Sequence, residues 1–358
     1  MESSAIREVT VYSPDIRGRK GLTPNHWTYP GELWTFLLGS KYTAGHHLRG
    51  KNANTHSGCR HGCVYCYAHS LIRRWGGPYP PCVGQGHPAG VVQCNPLQLD
   101  AIVEDISRAN RWREPAAVVL STMTDPFLSG DVVNATRAVI HACAKAGVPV
   151  VTLSKGIPPP DIWPAEATDG FCVAAGWTVT CARDEDSLEI EPGAPPSSER
   201  WDALGEASAI LRERPYPART WASLTPLNRR SGDVDVMAEA AYDAGASCIV
   251  AEIMHKRSSA CRDLLVPGHQ VPALIATLLA VGVRLGLPVF LKDELRDELG
   301  SQSDLYVATV SALLAGRPEA EEVLAMLAKL LPPAPTSAPL PSPSGQMTLD
   351  SFLGGREK

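Results

Sequence analysis

No stretch of this 358-residue sequence holds enough consecutive apolar residues to cross a bilayer. The charged, proline-containing N-terminus also lacks the basic-then-apolar layout of a secretory signal. Together these absences predict a cytoplasmic protein with no membrane partner. Positive charge is not in excess: 33 Lys and Arg against 38 Asp and Glu leave a net charge of −5. That balance excludes a protein that grips nucleic acid over its whole surface. Internal repeats are absent. No second group of closely spaced cysteines follows the first, which argues against an enzyme carrying auxiliary metal clusters.

What the sequence does hold is the composition of a soluble globular enzyme, with 44% hydrophobic and 20% charged residues. It has ten cysteines, three of them within the eight positions 59–66. In a reducing compartment such crowding points to metal binding or catalysis rather than disulfides. Charge is also uneven. Residues 1–75 carry ten Lys and Arg against four Asp and Glu, so +6, which leaves −11 for the remainder. Six of the ten histidines fall in the same stretch. A basic end of this kind suits a polyanion or an anionic cofactor, and ordinary scatter of surface charge is the alternative.

Residues 1–53 contain an apolar patch (Leu33–Leu38) and a basic cluster (His46, His47, Arg49, Lys51) without periodicity, and read as an N-terminal extension packed on the next domain. Residues 54–300 alternate. Helical patterns over Tyr67–Trp75, Leu97–Asn110, Val132–Ala146, Glu199–Arg212, Val234–Ala244 and Val271–Val281 separate apolar β-prone runs. Those runs are Ala116–Thr122, Val148–Leu153, Phe171–Cys181, Arg219–Leu224, Cys248–Ile253 and Pro288–Leu291. About six βα units predict an α/β fold, a partial (β/α)6 barrel with its chemistry at the C-terminal strand ends. A C-terminal helical segment (301–331) follows. Next comes a Pro/Ser/Ala linker (332–345), expected to be disordered, and a short amphipathic tail (346–358).

The cysteine segment reads Gly58-Cys59-Arg60-His61-Gly62-Cys63-Val64-Tyr65-Cys66-Tyr67-Ala68. A [4Fe–4S] cube has four irons, and three thiolates on one loop hold only three of them, leaving the fourth open to chelate a small molecule. Gly58 and Gly62 permit the tight turns that wrapping a cube requires. Two other readings compete: a zinc ion with His56 or His61 as fourth ligand, and chance clustering of buried cysteines.

With an aromatic residue just before the third cysteine, this C-x3-C-x2-C string resembles the radical S-adenosylmethionine (SAM) superfamily. The fuller string from Asn54 through Ala68 resembles its spore photoproduct lyase branch, the "DNA repair photolyase" group. So do Ser121-Thr122-Met123-Thr124-Asp125-Pro126, Leu153-Ser154-Lys155, Thr178-Val179-Thr180, and Glu191-Pro192-Gly193-Ala194-Pro195 followed by Glu199-Arg200. These motifs come in family order over about residues 54 to 255.

The resemblance implies a partial radical SAM barrel with a [4Fe–4S] cluster on Cys59, Cys63 and Cys66 and SAM on the open iron. An external electron donor such as flavodoxin or ferredoxin reduces the cluster, and the resulting 5′-deoxyadenosyl radical takes hydrogen from substrate. Thr122, Thr124 and Asp125, at a strand end, are then expected near the ribose or amino group of SAM. Lys155 suits its carboxylate, Thr178 and Thr180 offer hydroxyls, and Glu191 and Arg200 pair beneath the site. Tyr65 and Tyr67 flank the cluster, one of them near the adenine. The branch has a hydrogen-donating cysteine on the strand corresponding to Leu120–Asp125, and this sequence has none there, so the lyase reaction itself does not carry over.

The tail Gln346-Met347-Thr348-Leu349-Asp350-Ser351-Phe352-Leu353 resembles the sliding-clamp-binding peptide of replication and repair proteins, with Gln346, Leu349, Phe352 and Leu353 as anchors. Branch, basic end and tail all favour a nucleic-acid base as substrate. Radical modification of a peptide or small metabolite is the alternative within enzymes. A non-catalytic Fe–S or zinc protein tethered to a clamp is the alternative outside them.

Overall fold

The computed structural model describes residues 21–24, 29–44, 47–66, 93–94, 96–122, 124–128, 130–254 and 259–292, with residues 295, 306, 310 and 314 singly. The helix expected over 67–75, the linker 332–345 and the tail 346–358 lie outside the described residues, as does nearly all of 301–331.

Eight strands form one sheet whose spatial order is the chain order: β1 (Thr23–Pro24), β2 (Gly50–Ala53), β3 (Ala117–Leu120), β4 (Val150–Ser154), β5 (Val173–Thr178), β6 (Ala218–Leu227), β7 (Ile249–Ile253) and β8 (Val289–Leu291). β1 pairs antiparallel with β2, and from β2 to β8 every pairing is parallel. The helices are α1 (Gly31–Leu38), α2 (Pro96–Ser107), α3 (Gly130–Ala146), α4 (Asp184–Ile190), α5 (Ser197–Arg212), α6 (Val234–Asp243) and α7 (Val271–Leu285). Six crossovers join the seven parallel strands, each moving one strand over in the same direction, which with the usual right hand puts the crossover helices on one face. The two outermost strands do not pair among the described residues, so this is an open (β/α)6 array, as the sequence predicts.

Local chemistry accounts for most elements. β3 and β5 are buried along their whole length, the continuous apolar pattern of a parallel sheet covered on both faces. α3 stops at Gly147, whose φ of +65° is a left-handed cap that L side chains resist. The stretch Cys261–Leu285 is long and apolar enough by composition to cross a membrane. Only Val271–Leu285 is continuous α-helix, about 22 Å long at 1.5 Å per residue, and it packs on α6.

Three elements depart from the sequence reading. β2 lies inside the stretch read as N-terminal extension, yet it is the first parallel strand; Gly50-Lys51-Asn52-Ala53 has poor strand propensity and is held by pairing on both sides. α1 is the apolar patch, burying Leu33, Trp34, Leu37 and Leu38. Trp34 meets Trp221 of β6 edge-on at 6.4 Å between centroids. α4 is too short to show a period.

Register decides which side chains share a face. Thr178, Ser223, Val250 and Phe290 stand in one row across β5 to β8. Because side chains alternate, Thr225 and Glu252 near the ends of β6 and β7, and Lys155 (two past Leu153, which opposes Gly176) and Lys292 just past β4 and β8, continue that face toward the C-terminal end of the sheet. Trp221 opposes Gly176 on the same face.

Candidate functional site

The cysteine loop leaves the C-terminal end of β2. Gly58 and Gly62 take φ of +86° and +63°, which turns the chain back on itself twice within five residues. Cys63 is buried while Cys59 and Cys66 are partly exposed, and none of the three forms a disulfide. The loop is docked on the segment after α4 by backbone bonds: Val64 N–H donates to Ile190 O at 3.0 Å, and Gly193 N–H to His61 O at 2.9 Å. A Cβ on Gly193 would stand 2.0 Å from Arg60 O, so the two backbones touch only because residue 193 has no side chain. From the other side, the Cys261 thiol donates to Val64 O at 3.2 Å.

Asp125 is the hub of this end of the sheet. Its Oδ1 accepts from Ser154 Oγ at 2.6 Å and Phe127 N–H at 2.9 Å. Its Oδ2 accepts from Lys155 N–H at 2.6 Å and lies 3.0 Å from His61 Nε2. Burial raises the Asp125 pKa, but His61 and these donors more than reverse that and hold the carboxyl far below its ordinary range. Buried, with both oxygens bonded to the protein, Asp125 ties the cysteine loop to β4. Ser121, at φ +52°, is a strained non-glycine residue in the turn from β3 toward Asp125.

A second hub carries charge. Glu191 and Arg200 meet at 2.5 Å with no exposed surface, and Lys155 Nζ lies 3.8 Å from Glu191 Oε1. The Tyr65 hydroxyl donates to the same Glu191 oxygen, and Lys155 Nζ sits 5.6 Å from the centroid of the Tyr65 ring. Arg200 also donates to Pro195 O, Thr178 O and Ser187 Oγ. Burial raises the Glu191 pKa, yet Arg200 and Lys155 bring it below the ordinary carboxylate value. Burial disfavours charged Lys155, and Cys63 and Glu191 more than restore it. Burial pushes the Cys63 thiol up to about 12 despite the lowering pull of Lys155.

Of the remaining expected residues, Thr122 Oγ1 lies 3.5 Å from Asn54 Oδ1, and Thr124 is half-buried with no hydroxyl partner among the described residues. Thr178 and Thr180 are buried on the strand end. Tyr67 and the tail anchors Gln346, Leu349, Phe352 and Leu353 lie outside the described residues. The structure thus brings together Cys59, Cys63, Cys66, Tyr65, Asp125, Lys155, Thr178, Glu191 and Arg200. A cleft of about 520 Å³ opens beside them, lined by Arg60, His61, Phe127, Ile157, Gly193 and Pro195 among others.

Three thiols on a glycine-turned loop, with Lys155 at the innermost one, fit an iron–sulfur cube in their donor chemistry. The thiols also sense one another's charge. Among the described residues, no three His, Cys, Asp or Glu side chains are gathered closely enough for a single metal ion. The ring nitrogens of His61 face Asp125 Oδ2 and Gly193 O at 3.0 and 3.2 Å. His56 Nδ1 lies 3.0 Å from Thr55 Oγ1. Sequence reasoning missed His61 as the link to Asp125, and Cys261. The only sequence signal for His61 was its place inside the cysteine loop.

The fold and site define an open parallel (β/α)6 sheet with a cysteine loop at the C-terminal end of its first parallel strand. Solved structures of similar fold include a single-residue mutant of spore photoproduct lyase, at 10% identity and a TM-score of 0.45, over 67% of this chain and 75% of that one. SuiB of Streptococcus suis bound to its precursor peptide SuiA is similar at 8% identity and a TM-score of 0.41, over 69% of this chain and half of SuiB. SuiB bound to S-adenosylmethionine gives 7% identity and a TM-score of 0.39, over 68% of this chain. No family profile and no curated protein sequence matches the chain.

Proposed function

We propose that this protein is a radical SAM enzyme acting on a nucleic-acid base. The observation that carries the reading is the C-x3-C-x2-C loop docked at the strand ends against the buried Lys155–Glu191–Arg200 network. Cys59, Cys63 and Cys66 would hold a [4Fe–4S] cluster, with SAM completing the fourth iron. Bound there and reduced by an external electron donor such as flavodoxin or ferredoxin, that pair would supply one-electron cleavage of the sulfonium, releasing methionine and a 5′-deoxyadenosyl radical able to take a hydrogen atom from the substrate.

The chain's own residues bind and orient. Lys155 brings a cation beside Cys63, where thiolate charge and a SAM carboxylate both gain from it. Glu191 and Arg200 hold Lys155 and Tyr65 in place from below, and Asp125 fixes the loop through His61. A base as substrate is supported by the motif resemblance, the basic N-terminal stretch and the clamp-like tail, which would bring the enzyme to replicating DNA.

The test is anaerobic purification and reconstitution, iron counting, reduction with dithionite and an assay for 5′-deoxyadenosine from SAM. Four irons and deoxyadenosine are expected, with both lost in Cys63→Ala. One zinc, no iron and no cleavage would overturn the reading.

A further inference from the structure

A second polar cluster stands on the same face as Lys155 and Thr178, on the far strands of the sheet. Glu252, two residues past Val250, is near the C-terminal end of β7, and Lys292, two past Phe290, is the first residue after β8, so both continue the shared row toward that end of the sheet. Lys292 Nζ lies 2.8 Å from Glu252 Oε2 and 4.6 Å from the centroid of the Tyr29 ring. The Tyr29 hydroxyl hydrogen-bonds to Ser223 and Thr225, whose own hydroxyls are 2.7 Å apart. One carboxylate, one ammonium and three hydroxyls therefore collect at the C-terminal ends of β6, β7 and β8, where (β/α) folds place their chemistry.

A partly buried ion pair loses in desolvation most of what it gains in attraction, so it is a weak stabilising device. The two side chains keep 14% and 12% of their surface exposed.

The charges also select what fits. A phosphate is repelled by Glu252, and an amine by Lys292. A neutral group with a donor and an acceptor side by side meets both partners. The trans peptide unit fails, because its N–H and C=O point in opposite directions and cannot face two groups 2.8 Å apart. The edges of nucleobases carry donor and acceptor on adjacent ring positions.

We propose that Glu252 and Lys292, supported from beneath by the buried hydroxyls of Tyr29, Ser223 and Thr225, form the substrate-recognition half of the site, and that the pair takes the hydrogen-bonding edge of a nucleobase. This rests on the radical SAM reading and gives its substrate class a place in the chain. Glu252 accepts from the amino or imino group of the base, Lys292 donates to the neighbouring ring nitrogen or carbonyl, and the base stands across the sheet face from Lys155.

The experiment is calorimetric titration of the full chain with cytidine, adenosine, guanosine and thymidine, with inorganic phosphate and a neutral N-acetyl amino-acid N-methylamide, which carries only trans peptide units, as competing probes. At least one nucleoside should bind saturably, and Glu252→Gln and Lys292→Met should each weaken it about tenfold, the share of one hydrogen bond to a charged group. Thermal melts establish that each variant folds, and either one suffices if the other does not. No saturable nucleoside, equal affinity in the folded variants, or the same pair-dependence for phosphate or the N-methylamide would overturn the proposal. The wild-type deoxyadenosine assay reports on the underlying reading separately. Deoxyadenosine without nucleoside binding sinks the pocket alone; pair-dependent nucleoside binding without iron or deoxyadenosine sinks the radical reading alone.

Discussion

Glu191 Oε2 stands 2.5 Å from Arg200 Nη1 in a place that solvent does not reach. The pair spans the turn from α4 to α5, and Tyr65, between Cys63 and Cys66, hangs from the other Glu191 oxygen. Breaking a buried pair leaves one charge without its partner and costs about 3–5 kcal/mol.

Glu191→Gln should therefore lower the urea midpoint by an amount equivalent to roughly 3–5 kcal/mol, since Arg200 keeps only backbone and hydroxyl acceptors. In the wild type the Glu191 carboxyl is held below its ordinary value, so its contribution is present above that value and fades as the pH falls below it. An unchanged midpoint in the variant would show that the pair contributes no net stability.

Lys155→Ala tests the same network from its exposed side. Glu191 retains Arg200, so the fold and the iron content should persist. What the variant loses is the cation beside Cys63 and the expected partner of the SAM carboxylate. Titration of the reconstituted protein with SAM should show affinity weakened about tenfold or more. Equal affinity would remove Lys155 from the ligand site.

His56 gives the fold an acid-sensitive point. Burial lowers its pKa from 6.5 to about 4. Above pH 6.5 the ring is neutral in both folded and unfolded chains and contributes no pH dependence. Between 6.5 and 4 the unfolded chain takes up a proton that the folded chain refuses, so stability falls as the pH drops, by about 3 kcal/mol in all. Denaturant midpoints measured across this window should fall less steeply for His56→Gln than for the wild type. Parallel slopes would mean that another group carries the acid sensitivity.

Much of this was legible in the sequence. β3 to β8 announce themselves because buried parallel strands are runs such as Ala-Val-Val-Leu and Val-Val-Thr-Leu-Ser, and the cysteine spacing marks its own loop. β2 was not legible, because Gly, Lys, Asn and Ala become a strand only when neighbours on both sides supply the ladder. The role of Asp125 was half legible. A strand-end Asp-Pro signals a turn, but that both its oxygens are consumed by His61, Ser154, Phe127 and Lys155 follows from contacts up to 64 residues apart. Glu252 and Lys292 carry no local signal at all, since each is an ordinary charge near a strand end until register aligns the two rows.

Gly193 offers the sharpest local test of how the cysteine loop is held. Its N–H bonds His61 O at 2.9 Å, its carbonyl faces His61 Nδ1 at 3.2 Å, and a Cβ would meet Arg60 O at 2.0 Å. Backbone cannot give way as the end of a flexible side chain can, so Gly193→Ala must push the loop off the α4–α5 segment. The cost should be about 1–3 kcal/mol, in line with overpacking elsewhere. Because the displaced residues sit between Cys59 and Cys63, reconstituted iron content should fall with stability. Gly130→Ala is the control, since a Cβ there meets nothing within 4 Å and Ala favours the start of α3. If Gly193→Ala binds as much iron as that control, the close backbone approach does not hold the loop in its metal-binding form.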